Sequence, residues 1–220
     1  MKKIFSLILI AGLSICGVHA QESNPIGLRV QAGLTLSMIK GFGDGTMHPG
    51  YTVGVSYDIP VNQYFSVRPG LRFINKGENT KYGDTKIKVS PSYLEMPIYA
   101  TFTFETGCES NVYLGAGPYF AYGITGKAKA SSGNIASGVT EIDLFSKHNN
   151  GDQKPFKNFD AGLSGVVGFE YSRFFIEGAL QLGLAQVHNK DFSIAGSPLF
   201  TKNDTKSWMA SALITAGFKF

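Results

Sequence analysis

The segment that most constrains the fold is the end of the chain, residues 207–220, where side chains alternate strictly between two kinds. One parity is apolar and consists of Trp208, Ala210, Ala212, Ile214, Ala216, Phe218 and Phe220. The other parity is small or polar except at Met209 and Leu213. Because successive side chains of a β-strand point to opposite faces, this segment predicts a strand with one face suited to lipid and one suited to a crowded, wet interior.

The same two-residue period recurs along the chain. The segments that follow it are 26–38, 51–59, 65–73, 93–104, 112–124, 160–171, 174–184 and 207–220. No Lys, Arg, Asp or Glu falls on the apolar parity of any of them. The pattern predicts an all-β fold, an eight-stranded antiparallel up-and-down transmembrane β-barrel with a filled polar lumen.

Three prolines interrupt the proposed strands, at Pro69, Pro97 and Pro118. Proline has no amide N–H to donate to a neighbouring strand. We therefore expect bulges or local gaps in the hydrogen-bond ladders at these positions.

The connections between the segments alternate in length, with longer ones after the first, third, fifth and seventh segments. Spanning barrels have long outer loops and short periplasmic turns, so we expect both termini on the periplasmic side. Possible contacts with a protein partner are placed on loops 125–159 and 188–206, because a loop as long as the first is unusual unless it binds something or is disordered.

Four lysines make the second outer loop basic, a pattern more typical of a solvated loop than of a binding site. They are Lys76, Lys81, Lys86 and Lys88.

The polar parity of the segments is assigned to the inside of the barrel. A soluble barrel such as a lipocalin would turn this parity to water and carry many Lys and Glu there, whereas here it is mostly Gly, Ser, Thr and Tyr. Its charged members form a proposed structural network in the lumen: Arg29, Asp58, Arg68, Arg72, Glu95, Asp160, Glu170, Glu177 and Lys219. Their opposite charges nearly cancel, as burial requires, because an unpaired buried charge is strongly destabilising.

Composition agrees with a surface that faces lipid. Only 16% of the residues are charged, whereas soluble domains have about a quarter. The net charge of +4 comes without a basic stripe or a recognised binding motif, so no nucleic-acid partner is expected. Outer-membrane lipid is the expected environment.

The N-terminus is predicted to be a secretory signal peptide at 1–20, which leaves 21–220 as one outer-membrane β-barrel domain. Lys2 and Lys3 precede an apolar run, and a small-x-small site ends at Ala20. The alternative, a lipoprotein signal at Cys16, is disfavoured because the bulky residue before it stands where such signals carry Gly or Ala. Cys108 is then the only cysteine, which leaves a free thiol or an intermolecular disulfide.

Three short segments resemble a known family: YLEMP at 93–97, LGAGPY at 114–119 and DAGL at 160–163, which runs on to GFEY at 168–171. They are similar to the PorT-like outer-membrane β-barrel domain family, often labelled "porin family". The resemblance covers nearly the whole mature chain and implies an integral outer-membrane barrel of mostly unassigned activity, with one member that serves protein secretion. Phe218 and Phe220 resemble the signal read by the barrel assembly machinery, although Thr215 stands where Gly is usual.

Residues capable of chemistry are few and scattered. His48, His148 and His188 fall on three different outer loops without partners at metal-ligand spacing, so solvated histidines are expected rather than a metal site. Ser193 and His188 share a loop near Glu177, but nothing in the spacing orients them for catalysis. We expect no catalytic, cofactor-binding or metal-binding residues and no enzyme.

The expected function is a scaffold, secretion accessory or surface-interaction protein; the alternatives are a small porin-like channel and, less favoured, a lipid-modifying enzyme.

Overall fold

The computed structural model describes residues 27–40, 46–82, 85–107, 109–132, 140–145, 157–185 and 208–220. The predicted signal peptide (1–20), Cys108, His148, His188 and Ser193 lie outside these residues. The described part of the chain forms eleven strands. They are β1 (Leu28–Lys40), β2 (Thr46–Tyr57), β3 (Ile59–Pro60), β4 (Phe65–Asn75), β5 (Glu78–Tyr82), β6 (Thr85–Gly107), β7 (Ser110–Ser132), β8 (Thr140–Asp143), β9 (Phe159–Tyr171), β10 (Phe174–Gly183) and β11 (Trp208–Lys219). Among the same residues, no helix is long and apolar enough to cross a membrane.

Eight of these strands close into a barrel. β1 pairs with β2, β2 with β4, β4 with β6, β6 with β7, β7 with β9, β9 with β10, and β10 with β11. The ring closes because β11 also pairs with β1, where Val30 faces Phe218. All of these ladders are antiparallel, so the predicted fold class is confirmed. The short strands β3, β5 and β8 add to this ring.

Burial along the strands follows the alternation seen in the sequence. In β9, buried residues alternate with more exposed ones from Asp160 to Tyr171. Outside the barrel wall, Leu34 is 65% and Leu180 is 68% exposed, whereas Arg29 and Glu95 are completely buried inside. The apolar faces therefore surround the barrel and the polar faces fill it, as the sequence predicts.

The expected gaps in the hydrogen-bond ladders lie on both sides of Pro97. Pairing between β4 and β6 stops after Pro69 and resumes at Arg72. Pairing between β6 and β7 stops after Pro97 and resumes at Ala100, which leaves Pro118 unpaired on that side. The prediction of local gaps at the prolines is therefore confirmed.

The outer end of the barrel differs from the sequence-based expectation. β6 and β7 have 23 residues each, or about 75 Å at 3.3 Å per residue, although only about 9–11 residues of a strand cross a membrane. The expected basic loop is therefore mostly strand, made of the end of β4, all of β5 and the start of β6. The expected loop 125–159 also begins as strand, because β7 continues to Ser132 and β8 follows. Strands beyond the lipid need no apolar face, so the two-residue period could not reveal them.

Candidate functional site

The interior of the barrel holds two clusters of paired charges, and the first lies at the end where β1 begins and β11 ends. Arg29 Nη1 donates to Glu170 Oε2 at 2.6 Å and to Asp58 Oδ2 at 3.1 Å. Arg68 binds Asp58 through its Nε and lies 3.3 Å from Glu177 Oε2. Lys219 Nζ donates to Glu170 Oε1 at 3.0 Å. Glu170 thus bridges two cationic side chains, and Asp58 bridges three, because Lys219 Nζ also lies 3.9 Å from Asp58 Oδ2.

The second cluster lies deeper along the barrel and centres on Glu95. Arg72 donates to Glu95 Oε1 from Nε at 2.8 Å and from Nη2 at 2.5 Å, and Gln181 donates to the same oxygen at 2.7 Å. Lys76 Nζ lies 2.8 Å from Glu95 Oε2 and 3.8 Å from Asp160 Oδ2. Arg72, Lys76 and Glu95 are almost or completely buried.

Lys76 is a member of this network that the sequence analysis missed, since it was assigned to a basic outer loop. It follows β4 directly, and its ammonium lies 4.5 Å from the centre of the Tyr119 ring. With Lys76, the interior contains Arg29, Arg68, Arg72, Lys76 and Lys219 against Asp58, Glu95, Asp160, Glu170 and Glu177. Among the described residues, the charges of these two clusters balance one for one; Glu78, on β5, is also buried.

A small cavity lies between some of these side chains. Its volume is about 10 Å³, at the lower limit for one water molecule. It borders Arg68, Arg72, Tyr99 and Glu177, next to the ladder gap at Pro97.

Two apolar residues that follow β8 pack against the barrel strands. Leu144 is completely buried and its amide donates to Gly126 O at 3.0 Å. The Phe145 ring packs edge-on against Tyr93, with 5.8 Å between ring centres, and a Cβ on Gly123 would lie 2.3 Å from its Cζ. Both residues belong to loop 125–159, on which the sequence analysis places possible partner contacts, and their side chains pack against the barrel.

A polar cluster at the outer end of the barrel joins four strands, β2, β4, β5 and β6. His48 Nδ1 lies 3.3 Å from Asn79 Oδ1, and His48 Nε2 lies 3.3 Å from Ser90 Oγ. Asn75 Nδ2 donates to Ser90 Oγ at 3.2 Å, and the Ser90 hydroxyl also lies 3.4 Å from Asn75 Oδ1. His48 is 2% exposed, whereas Ser90 and Asn79 are half-buried. The expectation that His48 is a solvated loop residue is therefore wrong.

A one-residue change of register gives His48 this position. In the β2–β4 ladder Thr52 faces Ile74, and unbroken pairing would put Thr46 opposite Thr80; instead it faces Asn79. The extra residue lies on β2, between Met47 and Thr52, as in a β-bulge, which changes the direction of nearby side chains. Gly77 makes this possible, because a Cβ there would lie 2.2 Å from Val89 O and 2.9 Å from the His48 ring.

His48 lies outside segment 51–59, the part of β2 that the sequence analysis assigns to the lipid. It is three positions from Tyr51, or about 10 Å along the strand. Burial lowers the pKa of His48 from its ordinary value of 6.5, and the positive charge of Lys88 acts in the same direction. The imidazole is therefore neutral at neutral pH, the state in which a histidine can accept a proton.

The other chemical groups considered from the sequence do not come together in the described residues. Glu177 is buried in the lumen, where it accepts a hydrogen bond from the Tyr113 hydroxyl at 3.0 Å, so it is bound into the interior network. Within the described ranges, no group of three or more His, Cys, Asp or Glu side chains could hold a metal ion.

Comparison with known proteins identifies similar barrels. Residues 16–189 match the model of a family described as "Outer membrane protein beta-barrel domain". A comparison with curated proteins found no match. Among solved structures, the chain is similar to Ail, the attachment invasion locus protein of Yersinia pestis, crystallised with the heparin analogue sucrose octasulfate (15% identity, 88% of this chain and 97% of that chain, TM-score 0.40). It is also similar to Neisserial surface protein A (13%, 90% and 100%, 0.46) and to OprG from Pseudomonas aeruginosa (13%, 90% and 97%, 0.44).

Proposed function

The chain belongs to the outer membrane protein beta-barrel domain family, and from that premise we propose that it acts through its outer surface, as a scaffold or surface-interaction protein. It is an integral protein of the outer membrane. The observation that carries the proposal is that the interior is filled with paired charges while an extended sheet projects from one end.

The projecting sheet offers the surface on which a partner would bind. Its strands are β5, the first part of β6, the last part of β7, and β8, which pair in that order. Lys88 and Lys129 are both exposed on it and lie opposite each other on neighbouring strands. Asp143, on the outermost strand β8, is exposed as well. We place the partner site on this sheet and on loop 188–206, which lies outside the described residues.

The proposal includes two more specific roles, in secretion and in recognition by the assembly machinery. The resemblance to PorT-like barrels supports a secretion-accessory role as one form of it. Recognition by the barrel assembly machinery is proposed to depend on Phe218 and Phe220, whose rings pack together at 5.0 Å near the end of β11. The alternative, a porin-like channel, would need an open path through the interior.

Crosslinking in living cells tests the proposal. A photoreactive amino acid is placed at Lys88 or Lys129 on the projecting sheet, and the matched control is placed at Leu180, which faces lipid. We expect one dominant protein adduct from the sheet positions and none from the control. If neither sheet position captures a protein, the surface-interaction role is wrong and only a structural role in the membrane remains.

A further inference from the structure

The cluster of Ser90, His48 and Asn79 has the connectivity of a hydrolytic triad. In the tautomer with the proton on Nδ1, His48 donates to Asn79 Oδ1, while its Nε2 accepts from the Ser90 hydroxyl, both at 3.3 Å. A nucleophile on one ring nitrogen and an orienting oxygen on the other is the arrangement that activates serine in unrelated hydrolases, and asparagine serves as the third member in some. Such contacts are often somewhat long before substrate binds.

We propose that Ser90, His48 and Asn79 form a catalytic site that hydrolyses esters of long-chain fatty acids in the outer leaflet. This inference goes beyond the proposed surface role and is independent of it. It also departs from the sequence-based expectation that the protein is not an enzyme.

The location of Ser90 suggests a lipid substrate. Ser90 shares its parity on β6 with Leu94, which is 43% exposed on the lipid-facing side. The two residues are four positions apart, which is about 10 Å along the membrane normal for a tilted strand. Ser90 therefore lies at the level of the headgroups, where acyl esters are found, and it is half-buried rather than enclosed.

Each residue has a defined part in the reaction. Ser90 Oγ attacks the ester carbonyl carbon while His48 Nε2 takes the hydroxyl proton. The tetrahedral oxyanion lies near Asn75 Nδ2, which is already 3.2 Å from Ser90 Oγ and can donate to it. His48 then returns the proton to the departing alcohol, which leaves the acyl group on Ser90. Water, activated by His48, attacks this acyl-enzyme, and the products are a free fatty acid and regenerated Ser90.

The structure gives Asn79 the part of a positioning residue. Its backbone is held in two ladders, against Thr46 on β2 and Lys88 on β6, and its Oδ1 orients the His48 ring. An aspartate at this position would serve the same purpose, since a carboxylate also accepts from Nδ1.

A fluorophosphonate probe tests the site on the full-length barrel folded in detergent micelles. We expect covalent labelling of Ser90, found by mass spectrometry, and no labelling of heat-unfolded protein. Ser90→Ala should abolish it, whereas Ser110→Ala, at the opposite end of the barrel, should not. Failure of the folded wild-type protein to label at Ser90 overturns the proposal, whether or not the variants fold.

Activity on a long-chain ester supplies the second measurement. With p-nitrophenyl laurate, His48→Gln should lower the rate by about 100-fold or more. Asn79→Ala should also lower it, and Asn79→Asp should restore most of it, which a purely structural role of Asn79 does not predict. Separate vesicles of phospholipid and of lipopolysaccharide show which lipid releases fatty acid. Equal rates for wild type and His48→Gln would overturn the proposal.

Discussion

The interior charge cluster predicts a large loss of stability when Glu95 becomes neutral. Glu95 is completely buried and its Oε1 accepts from Arg72 and Gln181, while Oε2 lies 2.8 Å from Lys76 Nζ. Glu95→Gln keeps the volume but leaves Arg72 and Lys76 side by side, with Asp160 the nearest remaining acidic partner at 3.8 Å from Lys76. Breaking a buried ion pair in this way costs about 3–5 kcal/mol. Because Gln retains one acceptor oxygen, we expect a value near the lower limit, about 3 kcal/mol.

Urea unfolding measures this loss. Trp208 is the only tryptophan of the chain, so its fluorescence reports the state of β11 without labelling. With a slope of about 2 kcal/mol per molar urea, the midpoint should fall by about 1.5 M. Glu105→Gln, the same change at an exposed position of β6, should alter stability by less than about 0.5 kcal/mol. Equal midpoints for both variants would refute the view that Glu95 holds together two buried cations.

Three further predictions concern the wall, the packing of the lumen and the proposed triad. Leu180→Arg, on the lipid-facing side of β10, should destabilise the barrel in lipid vesicles by about 2–4 kcal/mol, measured by urea unfolding. Gly168→Ala should cost about 1–3 kcal/mol in the same assay, because the new Cβ would lie 2.2 Å from Tyr113 Cζ, whereas Gly178→Ala meets nothing closer than 4.0 Å and should be nearly neutral. Ester hydrolysis should rise with pH as His48 loses its proton, with a midpoint below the ordinary 6.5, because its pKa is lowered; a midpoint above 6.5 would contradict this assignment.

For the part of the barrel that lies in lipid, the strands and the orientation of their side chains could be predicted from the sequence. There the two faces of each strand meet opposite environments, so a residue such as Arg29 or Leu180 reports its own orientation. Charged residues are absent from the apolar parity for the same reason. Their positions therefore determine the register of the strands, because a shift by one residue would turn them toward lipid.

The part beyond the lipid could not be predicted, because both faces of those strands can meet water or other polar groups. Lys76 was assigned to a loop since it follows the last apolar residue of its segment, yet it turns into the lumen and balances the charges there. The proximity of His48, Asn79 and Ser90 depends on a one-residue bulge, and no local signal except Gly77 marks it. A triad is recognised by the arrangement of its side chains in space, and the positions of these residues in the sequence do not reveal that arrangement.

Single-channel recording in planar bilayers tests the central claim, that the interior is closed by paired charges, most directly. The account predicts no steady conductance steps from the wild-type barrel. Steady steps, with an ion selectivity that changes in the Glu95→Gln variant, would contradict it, because they would show ions passing the cluster of Arg72, Lys76 and Glu95.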